Sequence, residues 1–549
     1  MIAHYKKMIA DTDKRVARTL QIQNTDKSSR FYGGVIEEAS GIYQAKSTIY
    51  RTTALIAAYL NEESIFFNSE EVFCRIDIAL SYIERKQHDN GLFDYITCNF
   101  FSAPDTAFCI KKLIPTLELL RTVRDNDDKV KAVSDRIETI VHKGARGLLL
   151  GGFHTPNHRW AIASVLAYSA KLFGDEELRE AAFIYLNEGI DCNGDGEFAE
   201  KSAGNYNRVN NDAMIMLSEG LEDPAYEQNA IRNLRMMLTY FEPDDSIFTA
   251  NSTRFDKDHL IFPKDYYLEY LKLGIKYSIP EFLDMANYIF EIVAQKNISS
   301  PDFLTQYMLY PELRNFEHEG SGYKDNYKVF YKDSKIARVR RGDMTYTIMN
   351  GKSNFLYVHN KSIKLEMKIG GSFCEHRAFK SESMTENADG SYSLHQTMRG
   401  WYYLPFKDKP ATSDWWQMDN ASREKKLGPD MNIDVTVREV ENGIDVDIST
   451  SGVEGAPWRV ELAFSGIDKI VSEHVFIPVH GDETIILKDS YFEAMNRQDI
   501  LTVGPGFGTH DFTEGKEDSE QKNPGAATVY FTDYTSFHHV ISIRNGREK

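Results

Sequence analysis

Two rhythms of apolar and polar residues divide the chain. Over roughly the first 300 residues, apolar side chains recur at helical spacing. In 47–61, Ile49, Leu55, Ile56, Tyr59 and Leu60 share one side of a helix. The same pattern predicts helices over 69–87, 105–124, 127–147, 157–173, 175–188, 206–218, 223–240, 264–277 and 280–296. Stops and starts such as Asp89-Asn90-Gly91 and Phe173-Gly174-Asp175 separate them. About ten helices in antiparallel pairs follow. No repeated sequence unit is visible, which disfavours a consensus solenoid. A closed ring of helical hairpins, an α/α toroid, suits helices of this number and length.

The rhythm changes after Pro301. Residues 301–325 read as a linker. Beyond them come short strand-like runs at 329–331, 336–339, 344–349, 355–358, 363–367, 433–437, 444–448, 458–464, 485–487, 529–531 and 540–543. Turn signals such as Glu441-Asn442-Gly443 separate them. Arg338-Val339-Arg340-Arg341 lies on one such strand and reads as a solvated face. The expected fold is α+β and multidomain. An N-terminal α/α toroid (1–300) is followed by a linker (301–325) and a C-terminal antiparallel β-sandwich (326–549). A ligand cleft is expected where the two halves meet.

Composition narrows the function. The net charge is −18, which disfavours non-specific binding to nucleic acid or an anionic membrane. No apolar run reaches the ~18 residues of a membrane span. The five cysteines include no CxxC pair, so reduced thiols rather than zinc ligands are expected. The stretch MIAHYKKMIADTDKRVARTL lacks the apolar core of a signal peptide. The expected address is cytoplasmic, or secreted or periplasmic if a leader has been removed.

Candidate chemistry gathers at helix starts. The loops Cys98–Thr106 and Gly151–Trp160 each lead through a small or hydroxyl residue and a Pro into a helix. Thr155 stands where an N-cap would be, so Asn157, His158 and Arg159 fall in the first turn. Free N–H groups there favour an anion and a neutral His158, which can accept a proton. Such polar turns also serve as plain caps. The segment from Asp191 to Gly196 matches the first six positions of a calcium loop, but Ser202 occupies the position that needs a bidentate Glu. No cofactor is therefore expected at Asp191, Asn193 and Asp195, and a tight interhelical loop is the preferred reading. Next, Tyr206, Asn207, Arg208, Asn210 and Asn211 crowd another helix start, suiting either a polar ligand wall or a solvated end. HExxH, GxSxG and Walker patterns are absent from the sequence.

Together the domain order and these residues resemble the heparinase II/III-like polysaccharide lyases, which join an α/α toroid to antiparallel β-sheets. Those enzymes carry a catalytic His on a toroid helix and a catalytic Tyr about fifty residues later. Here His158 and Tyr206 are 48 residues apart. The resemblance implies β-elimination on a uronate polysaccharide or oligosaccharide, giving a 4,5-unsaturated product; a cytoplasmic address would favour short oligosaccharides and exolytic action. It implies catalytic roles for His158, Tyr206, Asn157 and Arg159. Substrate contacts would come from Asn99, Asp105, Trp160, Glu200, Arg208 and Asn211. From the β half they would come from His376, Tyr402 and Tyr403. The family's zinc site has no recognisable counterpart. Two other readings compete. A glycoside hydrolase would pair Asp105 with Glu197 or Glu200. A non-catalytic carbohydrate-binding protein would bind without turnover.

Overall fold

Apolar spacing becomes packing in a ring of helices. The computed structural model describes residues 1–513 and 520–546. The described helices are α1 (Ile2–Ile22), α2 (Ala45–Leu60), α3 (Glu70–Lys86), α4 (Ala103–Val123), α5 (Asp128–Gly147), α6 (Pro156–Phe173) and α7 (Glu176–Leu186). They continue with α8 (Tyr206–Leu221), α9 (Glu227–Met237), α10 (Tyr267–Tyr277), α11 (Pro280–Gln295), α12 (Leu304–Leu309) and α13 (Pro311–Asn315). Antiparallel hairpins form between α2 and α3, α4 and α5, α6 and α7, α8 and α9, and α10 and α11. The first member of each successive hairpin packs on the next, α2 on α4, α4 on α6 and α6 on α8. From α8 to α10 the wall continues through Asn211 to Glu269 at 3.2 Å and Lys272 to Glu219 at 3.0 Å.

Burial follows position in the ring. α6 is buried without a break from Trp160 to Ala170, as an inner helix must be. α5 buries only a stripe through Val130, Val133, Ile137, Ile140, Val141 and Gly144.

α1 closes the ring. His4 Nδ1 lies 2.6 Å from the Tyr267 hydroxyl, and the His4 ring stacks on Phe290 at 3.8 Å. The charged amino-terminal stretch carried no helix expectation. Yet Tyr5, Met8, Ile9, Thr12, Val16 and Thr19 form a buried stripe between its charges. The expected linker is also corrected. Within 301–325 lie α12 and α13, and Tyr307 is fully buried with its hydroxyl on Tyr267.

The chain divides into two units, Met1–Phe241 with Asp245–Tyr323, and Glu242–Asp244 with Lys324–Lys549. Among the described residues the second is a sandwich of two nine-stranded sheets. One runs Thr484–Ile486, Ala527–Tyr534, Pro457–Ser465, Ile363–Phe373, Asn354–Asn360, Met344–Met349, Ile336–Arg341, Asn326–Tyr331, with His376–Ala378 paired to Ile363–Phe373. The other runs Ser383–Glu386, Tyr392–Tyr403, Lys425–Val440, Gly443–Ser451, His538–Asn545, Ile500–Gly504, Phe492–Met495, Lys469–Ser472, Phe476–Pro478. Among the described strands of these sheets pairing is antiparallel, apart from Thr484–Ile486 against Ala527–Tyr534. Leu365, Met367 and Val460 of the first sheet share a core with Leu394, Val435 and Ile541 of the second.

The solvated-face reading of 338–341 is overturned. Arg338 is 0% exposed and Arg340 6%. Arg338 meets Glu242 at 2.9 Å, and His359 Nδ1 meets the same carboxylate at 3.1 Å. Burial alone would raise the Glu242 carboxyl, but Arg338, His359 and Thr345 hold it well below the usual carboxylate range.

Candidate active site

The starts of four inner helices carry the chemistry. Lys46 opens α2, Asp105 lies in the first turn of α4, Asn157 and His158 in that of α6, and Tyr206 begins α8. Local chemistry sets each start. Ser102 caps α4, accepting from the Asp105 N–H, and its hydroxyl donates to the Asp105 carboxylate at 2.7 Å. Asp105 also pairs with Lys46 at 3.1 Å.

At α6 the expected side-chain cap from Thr155 does not form. Instead Glu200 fills the role. Its carboxylate accepts from the Asn157 N–H at 3.1 Å and from Asn157 Nδ2 at 3.0 Å. The anion favoured at this helix end is thus the protein's own. Burial pushes the Glu200 carboxyl up, while Asn157 and Arg254 work against that rise. Arg254 Nε stands 3.3 Å from Glu200.

The same arginine faces Tyr206, its guanidinium 5.1 Å from the ring centroid. Phe255 meets the Tyr206 ring edge-on at 5.6 Å. Asp256, fully buried, fixes both neighbours. It accepts from Ser202 and Ser252 hydroxyls at 2.7 and 2.6 Å and from the Gly204 N–H at 2.9 Å. Ser202 Oγ in turn accepts the Tyr206 N–H at 3.0 Å.

His158 is half-buried among cations. Burial pushes its pKa down to about 4; Asp105 opposes this, and His154, Arg254 and Lys46 reinforce it. The imidazole is therefore neutral near pH 7. His154 donates its backbone N–H to His158 Nδ1 at 3.4 Å, which leaves the hydrogen on Nε2. Phe108 packs edge-on against the imidazole at 6.0 Å, under Lys46 at 5.1 Å.

Asp105, Asn157, His158, Glu200 and Tyr206 are thus brought into one cluster, to which Lys46, Phe108, Arg254 and Phe255 are added. Arg254 is the main residue that sequence reasoning missed. Its signal was the polar run Asn251-Ser252-Thr253-Arg254 between predicted helices.

Several expected contacts lie elsewhere. Arg159 bonds the carbonyls of Tyr185 and Gly189 at 2.7 and 3.1 Å, so it pins a loop. Trp160 is fully buried and donates Nε1 to Asp191. Asn211 is fully buried between Asn233 and Glu269. Arg208, expected beside Tyr206, lines an internal cavity instead, and Arg254 takes the place against the ring. The Asn157 amide nitrogen is spent on Glu200 and Thr155, while its buried Oδ1 has no hydrogen-bond partner among the described residues. Asn99 sits in a hairpin opposite Tyr95, whose ring lies 5.2 Å from Lys46 Nζ. In the sandwich unit, His376 is half-exposed on a short strand. Tyr402 and Tyr403 are exposed at a strand end opposite Lys426 and Lys425.

The 191–200 segment is a structural turn. Asn193 Oδ1 accepts from the Glu197 N–H at 2.9 Å. Gly196 has φ +100, and a Cβ there would lie 2.4 Å from the Arg232 carbonyl oxygen. Asp191 is taken by Trp160. Among the described residues, no group of three or more His, Cys, Asp or Glu is arranged to hold a metal. The carboxylates of a hydrolase reading are likewise engaged: Glu197 accepts from Asn251 at 2.6 Å and lies 3.3 Å from Lys201.

No protein-family model and no curated protein matches the chain. Solved structures do. The chain is similar to a chondroitin AC lyase of Streptomyces coelicolor A3, in complex with chondroitin sulphate. The TM-score is 0.52 at 10% identity, over 99% of this chain and 79% of that one. It is also similar to a Paenibacillus xanthan lyase, with TM-score 0.59 at 11% identity, over 100% of this chain and 57% of that one. The chain therefore spans little more than half of the xanthan lyase. At such identities what is shared is the fold, a toroid followed by a sandwich.

Proposed function

We propose that the protein is a polysaccharide lyase that cleaves the bond to a uronic acid by β-elimination. The observation that carries this reading is the grouping of a neutral His158 and a Tyr206 on two helix starts with the guanidinium of Arg254, brought in on a loop. Elimination removes the proton at C5, α to the C6 carboxylate, and expels the oxygen at C4. The hard step is the build-up of a second negative charge on the carboxylate. His158 presents Nε2–H, and Arg254 and Lys46 present positive charge, to stabilise it. In its phenolate form Tyr206 takes the C5 proton, and the phenol so formed gives that proton to the leaving O4 in a syn elimination. Arg254 beside its ring stabilises charge on the phenolic oxygen during transfer. Glu200 and Asn157 hold Arg254 and the start of α6 in register. Exolytic action, and the finer likeness to heparinase II/III-like lyases, belong to this proposal.

The test uses chondroitin sulphate, xanthan and alginate chains, with a neutral glucan as control. A conjugated unsaturated uronate absorbs in the ultraviolet, so absorbance should rise with an acidic chain only. Tyr206→Phe should abolish the rise in a folded protein, and His158→Ala should cut it severely. New reducing ends without a chromophore would establish a hydrolase instead. Binding without either product would leave a carbohydrate-binding protein.

A further inference from the structure

Inside the helical unit, below the helix starts, lies a cavity of about 200 Å³ walled by α2, α4, α8, α10 and α12. Its walls are unusually polar for internal space. Tyr50 presents 40% of its surface and Asp212 47% of its side chain, although both lie deep in the unit. Both line the chamber.

Most charges along the wall are paired. Lys111 meets Asp212 at 2.9 Å, Lys112 meets Asp302 at 3.0 Å, and Lys272 meets Glu219 at 3.0 Å. Arg208 differs. It lines the chamber half-buried and makes no side-chain hydrogen bond or ion pair among the described residues. The Tyr50 hydroxyl and the Gln306 amide, also on the wall, have no described partner either. Asp212, Asp265 and Glu269 offset the Arg208 charge from a distance, but its N–H donors have no acceptor, and we take them as the handle for an anionic ligand.

We propose that this chamber is a second ligand site, for a monosaccharide-sized sugar acid. The ligand carboxylate takes the planar donors of Arg208. Its hydroxyls donate to Asp212 and Glu219, which would repel a bare inorganic anion. Tyr50 and Phe108 offer flat apolar faces to the sugar ring. The volume fits: a cavity of ~150 Å³ holds benzene, and a six-membered ring with its substituents needs somewhat more. The site adjoins the proposed catalytic cluster, since Phe108 both meets His158 and lines the chamber, while Tyr206 and His158 are not among the lining residues. The assignment does not use the elimination reading.

The experiment is calorimetric titration of the full chain with D-glucuronate and D-galacturonate, beside D-glucose, acetate and inorganic phosphate. One uronate should bind wild type and Tyr206→Phe with equal affinity. Arg208→Met should weaken it at least about tenfold with the melting transition retained. Should Arg208→Met not fold, Gln306→Ala and Tyr50→Phe carry the test, each expected to weaken binding several-fold. No uronate binding, unchanged affinity in these variants, or loss of binding in Tyr206→Phe overturns the proposal. So does glucose, acetate or phosphate binding as tightly as the uronate. Uronate binding in a chain that eliminates nothing keeps the chamber and removes the lyase.

Discussion

Acidification should loosen the ring of helices through His4. Burial lowers the His4 pKa from 6.5 to about 4 in the folded chain. Between those values the unfolded chain binds a proton that the folded chain excludes. The contribution is thus present in full above about pH 6.5 and is lost as pH falls towards 4. At about 1.36 kcal/mol per pH unit, the interval is worth about 3 kcal/mol. The structural cause is specific. The imidazole is stacked on Phe290 with Nδ1 2.6 Å from the Tyr267 hydroxyl, so a charged ring would have to be carried in this largely desolvated place. His4→Phe keeps the stacking shape and removes the titration. Tyr267 keeps Tyr307 as a partner, so the variant should lose only about 1 kcal/mol at neutral pH. Urea melts of both proteins, followed by the far-ultraviolet helix signal from about pH 7.5 to about pH 4, give the comparison. The wild type should lose its advantage on acidification, and below about pH 5 the variant should be the more stable chain. A constant gap across the range would show that His4 titrates alike in both states and would refute the reasoning.

Other outcomes follow from the same geometry. Arg338→Met leaves the buried Glu242 carboxylate with only its neutral partners and His359, and should cost about 3–5 kcal/mol in melts of the chain. Arg254→Met should lower kcat by about 10²–10³ with little change in melting, whereas Arg159→Met, away from the cluster, should spare kcat; equal losses in both would remove Arg254 from its assigned place. Gly196→Ala forces a left-handed backbone and a clash with the Arg232 carbonyl, and should destabilise by about 2 kcal/mol or more; a neutral result would show that the loop is free to move.

Sequence alone determined the division of the chain and much of its local structure. Helical spacing marked the hairpins, and alternation marked the runs at 344–349 and 458–464, because burying one face is a local demand on the pattern. The candidate site was legible to the same extent. Pro156 and the polar turn after it announced the start of α6, and His158 and Tyr206 could be singled out as chemistry at helix starts. What the sequence does not encode locally is partnership. Arg208 and Arg254 look alike as letters, yet the fold turns one into an internal chamber and sets the other against Tyr206. Glu200 read as a substrate contact until its carboxylate was seen capping α6. Arg338 read as a solvated cation because its partner, Glu242, is 96 residues away. The charged α1 gave no local sign that it closes the ring, since the surfaces it covers on Tyr267 and Phe290 belong to the far end of the helical unit. Each of these outcomes depends on which desolvated groups meet, and only the tertiary structure brings them within range.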